Sequence, residues 1–211
     1  MNAPSQDLVV AVTQRIDNVP GRGEWRDALD QRVIRWLDAA DFVPVAVPNA
    51  LLDSGPERLN RWLASTRPGA VVLSGGNDVG ERPNRDATES HLLSWAQAGR
   101  LPVLGICRGL QMMAAWAGAE LVNVEGHVAT RHNLRDSRAA DEWPGDVNSY
   151  HNWGFRTCPK DFEIMARAPD GTIEAMRHMT LPWEGWMWHP EREQVFSPRD
   201  IARVKELFHA R

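Results

Sequence analysis

The sequence predicts an α/β protein: a mostly parallel sheet with helices on both faces, followed by a β-rich second half. Three observations predict it. Continuous apolar runs of strand length recur through the first half of the chain, as in strands buried on both faces of a parallel sheet. Segments of helical period separate them. From Glu120 to Trp188 that period fades, and short strand-like segments divided by turns take over.

The first strand is "LVVAVT" (8–13), and after it Trp25, Leu29, Val33, Trp36 and Leu37 recur at three- and four-residue steps and predict a helix. "FVPVAVP" (42–48) is the second strand, followed by a helix marked by Leu59, Trp62 and Leu63. "AVVLS" (70–74) is the third, and Leu92, Leu93, Trp95 and Ala96 mark a helix ending near Gly99. "LPVLGI" (101–106) is the fourth, and it runs directly into a helical stretch that reaches Gly118. In the second half, "DVNSY" (146–150), "FEIMARA" (162–168), "TIEAMRH" (172–178) and "GWMWH" (185–189) read as strands, with "PDG" (169–171) as a turn. The polar stretch 135–146 reads as an exposed loop. Ser197 and Pro198 resemble a helix cap and a first-turn proline, opening a last helix through Val204, Leu207 and Phe208. No repeat, low-complexity tract or linker interrupts the 211 residues, so one domain over 1–211 is expected.

Composition narrows the function. A net charge of −4 with both signs interspersed gives no basic stripe for a phosphate backbone, so no nucleic-acid partner is expected. The ten tryptophans are scattered among charged residues and form no run long enough to span a bilayer, so no membrane association is expected either. "MNAPSQD" lacks the basic start and apolar stretch of a secretory signal, and a cytoplasmic location is the default expectation. Cys107 and Cys158 form neither a CxxC pair nor a zinc spacing, and both are expected as thiols, with Cys158 a bystander. His127 and His132 read as loop histidines rather than a shared metal site, so neither a metal nor a cofactor is expected.

Chemistry concentrates in "LGICRGLQMMAAWAG" (104–118), where Gly105 and Gly109 flank Cys107 two residues away on either side. A strand turning sharply into a helix strains its apex residue and leaves no room for side chains at those two positions. The reward is a projecting thiol at a helix N-terminus, with the backbone N–H of Arg108 beside it to meet an oxyanion. The competing reading is a buried structural cysteine beside two packing glycines. A nucleophile needs a base and the base an orienter, and "WMWHPERE" (186–193) offers His189 and Glu191 after an apolar strand. "VVLSGGNDVG" (71–80) places Gly75 and Gly76 behind a buried strand, so that Gly76 would supply a second oxyanion donor; a plain turn is the alternative.

Together these elements resemble class I glutamine amidotransferases, in which a cysteine elbow, a downstream HxE pair and a glycine loop cleave the side-chain amide of glutamine. The resemblance implies a flavodoxin-like open sheet and a triad of Cys107, His189 and Glu191. "GICRGLQ", "SGGNDV" and "VNSYHN" are most similar to the branch that hydrolyses gamma-glutamyl amides of small molecules. It implies that Gln111 faces the glutamyl group and that the backbone of the segment Asn148, Ser149, Tyr150 and His151, together with the His151 side chain, holds its amino and carboxylate ends. Asn77 and Asp78 would line the leaving-group side. "TQR", "EWRDALD", "NSYHN" and "MWHPERE" are similar, in that order, to hydrolases of gamma-glutamyl-CDP-amidate, which release cytidine diphosphoramidate for capsule phosphoramidate synthesis. Arg15, with Arg22 and Arg26, would then meet a diphosphate. The expected partner is thus a small gamma-glutamyl substrate, nucleotide-linked in the narrow reading. Gamma-glutamyl-GABA hydrolysis, a glutaminase subunit needing a synthase partner, and a silent binding protein are the alternatives; homodimerisation is left open by the sequence.

Overall fold

The computed structural model describes residues 7–135 and 143–210. Its elements begin with strand β1 (Val9–Val12), the hairpin β2 (Arg15–Val19) and β3 (Glu24–Ala28), helix α1 (Gln31–Ala39) and strand β4 (Val43–Ala46). Next come α2 (Pro56–Thr66), β5 (Ala70–Leu73), α3 (Pro83–Gly99), β6 (Val103–Ile106) and α4 (Arg108–Trp116). The strand-rich half holds β7 (Val122–Asn123), β8 (Val128–Asn133), β9 (Asp146–Tyr150), β10 (Trp153–Gly154), β11 (Phe162–Arg167), β12 (Ile173–His178) and β13 (Trp183–Trp186). Helix α5 (Pro198–His209) is the last element.

A seven-stranded sheet runs in the order β11-β12-β13-β6-β5-β1-β4. Its β4-β1-β5-β6-β13 portion is parallel throughout. Counting only those strands in chain order gives 2-1-3-4-5, the flavodoxin-like winding expected above. β12 and β11 then add antiparallel on one edge. Val10 and Val12 of β1 and the valines and leucines of β5 and β6 are fully buried because helices cover both faces. On one face α1 and α5 pack Val33, Trp36, Leu37, Val204 and Phe208 against Val10, Val12 and Ile106. On the other, α2, α3 and α4 pack Leu59, Leu92, Leu110 and Met113 against Ala11, Val71 and Val103.

Local chemistry explains the boundaries. Asp30 caps α1 by accepting from the Arg32 N–H, and Ser197 caps α5 by accepting from the Asp200 N–H, with Pro198 in the first turn as predicted. One expectation fails. Trp25 and Leu29 are not on the first helix: residues 24–28 pair with β2 as a hairpin, and α1 starts only at Gln31. Its turn bends at Gly21 and Gly23, both at positive φ, and Trp25 lies 55% exposed rather than in the core. Part of the predicted 135–146 loop, residues 136–142, lies outside the described residues. Among the described residues no helix is long and apolar enough to cross a membrane.

Candidate active site

Four parallel strands end on one rim, and each delivers a part of the site: Arg15 after β1, Gly75 and Gly76 after β5, Cys107 after β6, and His189 beyond β13. They border a cavity of about 330 Å³ whose wall includes Arg15, Gly76, Asn77, Asp78, Cys107, Arg108, Gln111, Tyr150, His151 and His189. Sequence reasoning named all of these. It missed Glu81, Asn152 and Arg192, which line the same cavity.

Cys107 sits at φ 52 and ψ −107, a strained conformation for a residue with a side chain, directly between β6 and α4. Its N–H donates to the Trp186 carbonyl at 2.7 Å and its carbonyl accepts from the Gln111 N–H at 3.1 Å, so neighbouring elements fix the strain. Gly109 is obligatory: a Cβ there would collide with the Leu73 carbonyl oxygen of β5. Beside the thiol lies His189, whose Nδ1 is 2.6 Å from Glu191 Oε1. Burial alone would lower the His189 imidazole, but the attraction of Cys107 and Glu191 outweighs it and raises it to about 9. The three groups therefore stand as a buried thiol–imidazole–carboxylate line.

Asn148 holds this line from behind. Its side-chain oxygen accepts from the His189 N–H at 3.0 Å, and its NH2 donates to the His189 carbonyl and to Glu193, each at 2.8 Å. Both ends of the side-chain amide are thus engaged in positioning the histidine, a role that sequence reasoning did not assign to it. Ser149 is likewise buried, donating to the His127 carbonyl at 2.7 Å. Tyr150 remains 45% exposed, with its ring 6.0 Å from that of His189 and under the Arg192 guanidinium. Gln111 donates to the Trp153 carbonyl at 2.7 Å, and Asp78 accepts from the Trp153 indole at 3.2 Å. Asn77 ties its amide to both backbone groups of Ile16, fastening β2 to the glycine loop. Arg26 pairs with Glu24 and, like Arg22, does not line the cavity, whereas Arg15 does.

Beneath the glycine loop lies a buried charge network that no local motif announces. Arg85 donates to the Ser74 carbonyl at 2.6 Å, the Gly75 carbonyl at 3.0 Å and Glu89 at 3.0 Å. Glu89 also accepts from Thr13 and pairs with Arg108, which in turn pairs with Asp86 and donates to the Asn77 carbonyl. Burial lowers Arg108 to about 9 and Arg85 to about 10, so both keep their charge at neutral pH. With the Gly75 carbonyl tied to Arg85, the planar trans peptide turns the Gly76 N–H to the opposite side. Gly76 adopts φ 127, which few other residues tolerate, and a Cβ there would meet Arg85 and Arg15. A Cβ on Gly75 would come within 2.7 Å of His189 Cε1, so loop and imidazole are in close apposition.

His127 is the loop histidine expected, in the turn before β8, whereas His132 is on the strand. They flank and occupy β8, largely buried, and meet His151 around the fully buried Glu174 of β12. Their separation in sequence hid this, because only the pairing of β8 with β9 and the approach of β12 bring the four together.

Residues 9–191 match the model of the Peptidase C26 family. Over 145 residues the chain is 34% identical to a gamma-glutamyl-CDP-amidate hydrolase of Campylobacter jejuni, covering 66% of this chain and 69% of that one. It is 25% identical over 210 residues to a gamma-glutamyl-gamma-aminobutyrate hydrolase of Escherichia coli O157:H7, covering 81% of each. A putative GMP synthase subunit from Thermoplasma acidophilum superposes with a TM-score of 0.71 at 23% identity, over 95% of this chain and 93% of its own. Fold, rim geometry and sequence agree: the chain belongs to the Peptidase C26 family, hydrolases on the class I glutamine amidotransferase fold.

Proposed function

We propose that this protein hydrolyses a gamma-glutamyl amide through a thioester on Cys107, and that gamma-glutamyl-CDP-amidate is its favoured substrate. The observation that carries the chemistry is the thiol–imidazole–carboxylate line on a cavity wall shared with Gly76 and Arg108. In this reading the Cys107 proton rests on His189, and the thiolate attacks the gamma-carbonyl. The oxyanion is met by the N–H groups of Gly76 and Arg108. Collapse expels the nitrogen, protonated by His189, and leaves the glutamyl thioester. His189 then takes a proton from water, whose attack releases glutamate and frees the thiol.

Two features support a nucleotide-bearing leaving group. Arg15 and Arg192 stand on the catalytic cavity together with Asp78 and Glu81, and their guanidinium groups are suited to phosphoryl oxygens. Across Glu81 lies a second hollow of about 450 Å³, lined by the exposed Trp25 with the Arg82 guanidinium 4.6 Å from its ring centroid. An exposed indole face of this kind is what a base stacks on. The C. jejuni likeness supports the same substrate.

A second reading, the glutaminase component of a two-protein amidotransferase, is favoured by 29% identity over 126 residues to the glutamine-hydrolysing subunit of GMP synthase from Methanocaldococcus jannaschii. Glutamate release from gamma-glutamyl-CDP-amidate, gamma-glutamyl-GABA and glutamine separates the readings, with Cys107→Ala as control. The nucleotide substrate should be turned over with the highest kcat/KM. Preference for gamma-glutamyl-GABA would overturn the leaving-group assignment, and inactivity on all three would overturn the standalone hydrolase.

A further inference from the structure

At the wall of the catalytic cavity, to which His151 itself belongs, His127, His132, His151 and Glu174 form a buried cluster whose polar atoms face one another. Glu174 Oε1 lies 3.3 Å from His132 Nε2 and 3.6 Å from both His127 Nδ1 and His151 Nε2. None of these three ring nitrogens, nor either Glu174 oxygen, has a hydrogen-bond partner, although all are buried. Five such atoms in one spot is a large cost unless something else is bound there.

The outward-facing nitrogens show which form the rings take. His151 Nδ1 is 2.9 Å from the Trp153 carbonyl, which can only accept, so Nδ1 carries the hydrogen and Nε2 of the neutral ring presents a lone pair. His127 Nε2 faces the Asp170 carboxylate at 3.4 Å, which likewise leaves a lone pair on Nδ1. Two imidazole lone pairs and a carboxylate thus point at one place, a repulsive arrangement that a cation relieves. Ring N–H groups donating outward to a carbonyl and a carboxylate are the supports that metal-bound histidines use.

We infer that this cluster is a zinc-class metal site, with His127 Nδ1, His151 Nε2 and Glu174 Oε1 as ligands, and with His132 beside Glu174 rather than on the ion. A tetrahedral ion bound at about 2.0–2.1 Å separates its ligand atoms by about 3.3 Å. The distances from Glu174 already approach that value, and the His127, His151 and Glu174 ligand atoms all lie within 4.8 Å of one another. Two neutral imidazoles with one carboxylate suit Zn²⁺ or Co²⁺ and would leave Mg²⁺ or Ca²⁺ poorly held. The ion would pin the β8–β9 hairpin to β12. That hairpin carries Asn148, which fixes His189, and Tyr150, which overhangs it. The metal is therefore structural: it holds the cavity wall and touches no reacting atom.

Untagged protein, stripped with a chelator, is loaded with Co²⁺ or Zn²⁺, desalted, and analysed for metal content and visible absorption. The expected result is about one metal per chain with the intense visible bands of tetrahedral Co²⁺, unchanged in Cys107→Ser and abolished in His127→Gln and Glu174→Gln. Loss of the bands in Cys107→Ser would place the ion on the catalytic thiol and overturn the inference. So would failure of the wild-type chain to retain metal, or six-coordinate Co²⁺, outcomes that do not depend on whether the ligand variants fold. Because metal content is read directly, the result is independent of the proposed substrate.

Discussion

The carbonyls of Ser74 and Gly75 are held by one buried side chain, Arg85, which does not line the cavity yet fixes the orientation of the peptide that ends in the Gly76 N–H. In the proposed mechanism this N–H is an oxyanion donor, which acts on the transition state more than on bound substrate, so its misplacement lowers kcat rather than raising KM. Arg85→Lys keeps the charge opposite Glu89 and loses the planar fork whose Nη2 grips both carbonyls while its Nε holds Glu89. We expect kcat to fall on the order of tenfold to a hundredfold with KM little changed; steady-state kinetics showing a KM effect alone would contradict this positioning role. His189 provides a second residue-scale test. Its imidazole is raised to about 9, so the imidazolium is lost as pH climbs through that value, and kcat/KM should fall on that alkaline limb. Glu191→Gln removes one of the two negative neighbours that raise it, so the limb should move to lower pH and kcat should drop about a hundredfold. A limb that stays in place would show that Glu191 does not act on the imidazole.

Among the elements, α5 carries an ionisable group placed at a cost. Asp200, in its first turn, is buried, and burial together with Glu193 raises its carboxyl from 3.8 to about 6. A raised folded-state value means that the stabilising contribution is present below about pH 4 and is lost as pH rises through about 6. Asp200→Asn keeps the shape and removes the charge, so the variant should be more stable at pH 7, by roughly 1–2 kcal/mol. Urea melts at pH 4 and pH 7 check this: the advantage should shrink at the lower pH. Elements also show where sequence reading succeeds. β1, β4, β5 and β6 are legible as continuous apolar runs because the central three are buried on both faces and β4 keeps the same composition at the edge. The β2–β3 hairpin is not, because Trp25, Leu29 and Val33 happen to be spaced as on a helix although Trp25 faces outward. The signal that points to it is "PGRGE", with two glycines at positive φ.

For the molecule as a whole, the parallel winding collects loop ends from distant parts of the chain on one rim. The triad and glycine loop are readable because each forms a compact motif at a strand end. Asn148 is readable as a site residue, but the positioning role of its side chain is not, because that depends on the amide meeting the His189 backbone from another strand. Arg85, Glu89 and the Glu174 cluster are illegible because ordinary helix and strand positions carry them and only tertiary packing unites them. The central step of the proposed mechanism is a covalent one at Cys107. Intact-mass analysis of enzyme quenched in acid during turnover of gamma-glutamyl-CDP-amidate reads that step without intermediary. A glutamyl adduct mapped to Cys107, decaying as substrate is exhausted and absent from Cys107→Ala, is the predicted result; sustained turnover by Cys107→Ala would contradict it.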